Sequence, residues 1–195
     1  TEAHVLTTPL IINKTTGVKF GKSEEGAVWL DESKTSVYKF YQFWLNTDDA
    51  GAIDYLKIYT LLPREEIEEL NRATAEYPEQ RQAQKILAYE VTKLVHGEAR
   101  AKQARNVTAV LFGDTPFEQL LDIELDMLAL EIPVATSSNL VNSLVSTGVA
   151  TSNGEARRLI AGGAVSINGQ KVSEDRNVPV PSLINKGKNS FVLVR

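Results

Sequence analysis

The chain has 195 residues, room for one ordinary domain or two small ones, with 43% hydrophobic and 24% charged residues, a balance that excludes a disordered polyelectrolyte. No run reaches the roughly 18 apolar residues of a membrane span, and the absence of cysteine excludes a disulfide framework and a thiolate zinc site. The net charge of −4 is unevenly spread: 47–80 carry nine acids against three bases, whereas 152–195 carry three acids against seven bases. A basic C-terminal module can therefore attract phosphate although the whole chain is acidic. Only two histidines are present, His4 and His96, so no metal site is expected.

The chain opens on TEAHVLTTPLIINK, with neither a methionine nor a basic-then-apolar leader, and reads as the middle of a longer protein. Residues 5–12 predict a short buried strand interrupted by Pro9, and 13–28 are polar and glycine-rich. From Lys34 the grammar is helical: Val37, Phe40, Tyr41, Trp44 and Leu45 recur at helical spacing and make a wide apolar stripe. A second helix is predicted over DAGAIDYLKIYTLL, and a third over PREEIEELNRATAE, with acids in its first turn where the helix dipole favours them. A fourth, QRQAQKILAYEVTKLVH, aligns Ala83, Leu87, Val91, Leu94 and Val95 on one face and stops at Gly97. EARAKQARNVTAVLF predicts a fifth, ending near Gly113. Five helices in close succession predict a small bundle.

Next comes TPFEQLLDIELDMLALEIPVATSS, a connector with a helical piece and then an extended stretch around Pro133. NLVNSLVSTGVA predicts one short helix and SNGEARRLIAGG another, opened by a Ser152/Glu155 capping box and closed by Gly162-Gly163. AVSINGQKV predicts a hairpin over an Asn168-Gly169 type I′ turn, and NSFVLVR a last strand. The predicted fold class is α+β. Its predicted parts are a region 1–32 ending a larger domain, a helical bundle at 33–113, a linker at 114–136, and a helix–helix–hairpin domain at 137–195.

Arginine presents a planar fork of donors that matches phosphate oxygens, so Arg157 and Arg158 on one helix, with Lys171 on the neighbouring hairpin, fit an RNA backbone platform. A solvated arginine pair is the plainer alternative. Tyr38, Phe40, Tyr41, Phe43 and Trp44 could stack bases, but their helical spacing favours packing. The acids from Glu65 to Glu69 fit a solvated helix face, and His96 a helix C-terminal cation.

SNGEARRLIAGGAVSINGQKV resembles the α-L RNA-binding motif, and KFGKS (Lys19 to Ser23) resembles the second signature of class I aminoacyl-tRNA synthetases. With LTTPLI, GAVWLD, KFYQFWLNTDDA and LVHGE around them, the resemblance to bacterial tyrosyl-tRNA synthetases covers essentially the whole chain. It implies an enzyme that activates tyrosine with ATP and transfers it to tRNA(Tyr). Lys19, Lys22 and Ser23 would then face the leaving pyrophosphate of ATP, with Mg2+ accompanying the nucleotide.

The resemblance further implies that 33–113 bind the anticodon, with Asp49 reading its first base, a guanine, and Asn189 its second. Arg157, Arg158, Lys171, Lys186 and Lys188 would contact phosphates of the long variable arm. It implies a homodimer formed through an upstream nucleotide-binding domain, a cytoplasmic location, and no role for DNA or membrane. No HIGH-type signature of that upstream domain is present, so no cofactor is expected on this chain and it is expected to be inactive alone. The rival reading is a stand-alone structured-RNA-binding or ribosome-associated protein with an α-L motif. We predict no tyrosine-dependent ATP–pyrophosphate exchange by this chain; measurable exchange would overturn the expectation.

Overall fold

The computed structural model describes residues 2–7, 10–12, 28–113 and 115–195. The chain falls into two compact units that divide between Lys102 and Gln103. The first is helical, with four whole α-helices and the start of a fifth among its described residues, and these begin and end close to where the periodicity predicts.

α1 (Val37–Leu45) starts where the Ser36 hydroxyl accepts from the Lys39 amide at 3.2 Å. Its stripe of Val37, Phe40, Tyr41 and Trp44 is buried, as is Tyr38, and the Trp44 ring lies edge-on to Tyr55 at 6.4 Å. These aromatic side chains are core, which removes a base-stacking role for the buried ones. α2 (Asp49–Tyr59) is opened by Asp48, whose carboxylate accepts from the Gly51 amide at 2.6 Å. A Cβ at Gly51 would stand 2.7 Å from that carboxylate oxygen, so the cap needs glycine there. The helix stops three residues short of the predicted Leu62. Thr60 is extended, and Pro63 disfavours helical geometry in the residue before it.

α3 (Arg64–Glu76) carries Glu65 and Glu66 in its first turn and buries only Ile67, so its acids line a solvated face. α4 (Gln82–His96) is the centre of the bundle, with α1, α2 and α3 all packed on it. Ala83, Leu87 and Val91 are buried as predicted, but Leu94 is 60% exposed. The rest of the buried face is Gln84, Ala88 and Thr92, one residue along. A helix surrounded by three others buries a broad arc in its early turns, and that arc ends before the last one. Gly97 then terminates α4 at a φ of 86°.

The predicted strand at 5–12 is a correction. Val5, Leu6 and Leu10 are 86%, 96% and 69% exposed, and apart from a bridge residue at Ile12 no strand forms among the described residues of the segment. Strand conformation needs a pairing partner, and all five named strands of the described residues belong to the second unit.

α5 (Glu98–Phe112) runs across the division between the units. The second unit continues with a 3-10 turn at Phe117–Gln119, α6 (Asp122–Ala129), β1 (Val134–Ala135), α7 (Leu140–Ser146) and α8 (Asn153–Ala161). β2 (Val165–Ile167), β3 (Gln170–Lys171), β4 (Ser182–Lys186) and β5 (Ser190–Val194) complete it. The sheet order is β1-β5-β4-β2-β3, with β1 parallel to β5 and every other pair antiparallel. One sheet face shares a core with the two short helices, built from Leu140, Val141, Leu144, Ala156, Ile160, Val165, Ile184 and Val192. The hairpin turn is as predicted, with φ of 47° at Asn168 and 80° at Gly169.

The stretch 114–136, expected as a linker, buries Phe117, Leu125, Met127, Leu128 and Ala135 and contributes β1 to the sheet. The capping box is only half formed. The Ser152 hydroxyl accepts from the Glu155 amide at 3.2 Å, but the Glu155 carboxylate accepts from the Thr151 amide at 2.7 Å rather than from Ser152.

Glu124, only 2% exposed, accepts from the Leu121 amide at 2.8 Å and from the Asn106 side chain at 2.7 Å. It thereby caps α6 and ties it to α5. A buried polar group is tolerated because both bonds are made. Glu124→Ala is predicted to destabilise the unit by about 2–4 kcal/mol, read as a lowered urea midpoint, with a smaller loss for Glu124→Gln.

Candidate nucleic-acid interface

In the first unit a groove of about 470 Å³ is lined by Asn46, Thr47, Asp48, Asp49, Pro78, Glu79 and Arg81. It forms where the α1–α2 turn meets the start of α4. Arg81 adopts a left-handed conformation at φ 52°. Its guanidinium donates to the carbonyl of Leu45 at 2.8 Å and to that of Thr47 at 3.4 Å, so the orphan end of α1 is capped from a distance. Asp49 is exposed at the first position of α2, and its carboxylate accepts from the amide nitrogen of the fully buried Gln84. With three acids and one cation lining it, this groove suits N–H donors on a base edge rather than phosphate.

The second unit carries the cations. Arg157 and Arg158 are exposed on α8, whose inward face is Ala156 and Ile160. Lys186 donates to the carbonyl of Val149 at 3.0 Å. Hydrogen bonds from Thr151 hold the Glu155 carboxyl below its usual range, with smaller contributions from Lys186 and Arg158. Glu155 therefore stays ionised beside these two bases and offsets part of their charge.

Lys188 and Asn189 are exposed in the β4–β5 turn, directly after Lys186. Lys171 is placed differently from the expectation that it joins this group. It pairs with Ser166, whereas Lys186 pairs with Val165, so the pleat sends the two lysines to opposite faces of the sheet. Arg195, another C-terminal base, is ion-paired with Asp126.

Residues 1–113 match the family model of class I tRNA synthetases (W and Y), and residues 119–195 match the SYY-like C-terminal domain of tyrosine–tRNA ligase. This chain belongs to the class I tRNA synthetases. It is 42% identical to the tyrosine–tRNA ligase of Macrococcus caseolyticus, over 99% of this chain and 48% of that one. It is 43% identical to the tyrosine–tRNA ligase of Geobacillus stearothermophilus, over 97% of this chain and 48% of that one. The chain spans about half the length of the curated relatives it matches. A C-terminally truncated mitochondrial tyrosyl-tRNA synthetase of Coccidioides posadasii aligns at 39% identity over 51% of this chain and 25% of that one, with a TM-score of 0.44.

Within this synthetase chain, the signature residues Lys19, Lys22 and Ser23 lie outside the described residues. Among the described residues no group of three or more His, Cys, Asp or Glu could hold a metal, and no helix is long and apolar enough to cross a membrane. Arg81 and Gln84 escaped the sequence reading. Their partners lie some 35 positions away, and no local pattern announces such a bond.

His96 lies in the last turn of α4, at the helix end where the sequence places it. Its ring packs edge-on to Phe40 at 4.8 Å, its Nε2 is buried without a hydrogen-bond partner among the described residues, and burial lowers its pKa. It packs against the aromatic core at the end of α4, where burial disfavours its charged form. Because the folded pKa lies below the unfolded 6.5, the unfolded chain takes up the proton first and stability falls as pH drops below that value. His96→Gln is predicted to flatten the decline in urea midpoint between about pH 7 and about pH 5.5, whatever it does to the midpoint itself.

Proposed function

We propose that this chain is the tRNA-binding portion of a cytoplasmic tyrosine–tRNA ligase, with 33–113 facing the anticodon and 137–195 facing the variable arm of tRNA(Tyr). The observation that supports it most is the likeness to tyrosine–tRNA ligases across nearly the entire chain, in a molecule that exposes a base-type groove and a phosphate-type surface.

The chemistry divides between those surfaces. At the groove, the Asp49 carboxylate accepts from N1–H and N2–H₂ of the first anticodon base together, which only guanine offers in that geometry. On the second unit, Arg157, Arg158, Lys186 and Lys188 neutralise backbone phosphates and release counterions, recognising structured RNA by shape rather than sequence. Asn189, beside them, is assigned to the second anticodon base. Lys171 serves a separate phosphate from the other sheet face.

In the whole ligase the tyrosine carboxylate attacks the α-phosphate of ATP, and pyrophosphate leaves. Lys19 and Lys22, with Ser23 beside them, stabilise the negative charge developing on it. ATP with Mg2+ is the substrate there, and the homodimer forms through a domain not contained in this chain.

Filter binding of tyrosine tRNA against a duplex RNA of equal length, at two salt concentrations, tests the reading. Tighter binding of the tRNA is expected, and equal affinity would favour a general structured-RNA binder. Replacing Arg157 and Arg158 by glutamine is expected to flatten the salt slope by roughly one phosphate each. An unchanged slope would remove both from the contact set.

A further inference from the structure

We propose that Gln84 is a positioning residue of the base-reading groove, its buried amide holding the Asp49 carboxylate in the orientation that pairs with guanine. The inference rests on the proposed role of Asp49 and adds the device that makes that carboxylate selective.

The two adjacent aspartates have different fates. Asp48 is consumed as the cap of α2, its oxygen held by the Gly51 amide at 2.6 Å. Asp49 is exposed, and Gln84 Nε2 donates to its Oδ1 from beneath. An unrestrained aspartate rotates about its terminal torsion and presents its oxygens in many directions. One donor fixed in the core removes that freedom. It still leaves Oδ2 and a lone pair of Oδ1 for two parallel N–H groups of a ligand, because each carboxylate oxygen accepts twice.

The stability of the bundle gives no reason for an amide at this place. Gln84 is 0% exposed and its Oε1 has no hydrogen-bond partner among the described residues. A buried unpaired acceptor is costly, and an apolar side chain of similar volume would serve the core better. Arg81, the residue just before α4, holds the carbonyls of Leu45 and Thr47. The entry to α4 therefore fixes both the backbone next to Asp49 and the carboxylate itself. A recognition group held in advance avoids an ordering cost on binding.

The test uses the whole 195-residue chain and synthetic anticodon stem-loops that differ only in carrying guanosine or adenosine at the first anticodon position. Wild type is expected to prefer guanosine by roughly tenfold. Asp49→Ala should abolish the preference. Gln84→Met, which keeps the volume and deletes the donor, should reduce it by about threefold or more, leaving affinity for the adenosine loop and the melting temperature unchanged. Gln84→Leu, run alongside, should behave alike.

If Asp49→Ala loses the preference while both Gln84 variants keep it, the positioning role is overturned and the Asp49 reading stands. If Asp49→Ala keeps the preference, the Asp49 reading falls and the Gln84 role with it. Gln84 variants that weaken both loops equally, or that fail to fold, assign Gln84 to structure alone.

Discussion

The entry to α4, Arg81 and the turn it leads into, is the constraint on which the helical unit depends. α1 and α2 are joined by a short turn, and a helix end leaves carbonyls that need donors. Arg81 supplies one from 36 residues away in sequence and accepts a left-handed backbone in doing so. Gln84, three residues on, donates to the Asp49 carboxylate at the start of α2 without being needed to hold the helices together. Because α1, α2 and α3 all pack on α4, the groove around Asp49 is built on a rigid floor. A selective polar contact requires such a floor, since a loosely held carboxylate accepts from any donor that reaches it.

The second unit solves a different problem with different means. Phosphate recognition needs charge on a surface of stable shape, and it tolerates imprecision in each side chain. The two short helices sit on one face of a small sheet, and the exposed arginines ride on a helix anchored by Ala156 and Ile160. Glu155 moderates the charge next to Arg158 and Lys186. Asn168 stiffens the hairpin, accepting from the Leu183 amide at 2.8 Å and donating to Glu118 at 2.9 Å. Under the proposed function, acid in one unit and base in the other would serve two modes of reading RNA, by base edge and by backbone.

α1 and α4 were legible from their apolar stripes, α3 from the acids of its first turn, and the end of α4 from Gly97. The Asn168-Gly169 turn was legible because its conformation is written in two adjacent residues. β4 was not, because VPVPSLINKGKN reads as turn-rich and its strand exists only through pairing with β2 and β5. The segment 5–12 shows the converse: an apolar run that looks like a strand stays unpaired and exposed at most of its described positions. At the candidate interface the charged residues were legible as types, but Lys171 and Lys186 were grouped because spacing cannot say which sheet face a residue takes. Gln84 looked like an ordinary polar helix residue, and its contact with Asp49 is long-range.

The central claim is that one RNA is read by both surfaces. Amide hydrogen exchange of the chain, with and without tyrosine tRNA, tests it most directly. The expected result is slowed exchange on RNA binding both at 46–51 with 81–85 and at 151–159 with 186–190. Protection confined to the second set, with the α1–α2 turn exchanging as in the free chain, would contradict it.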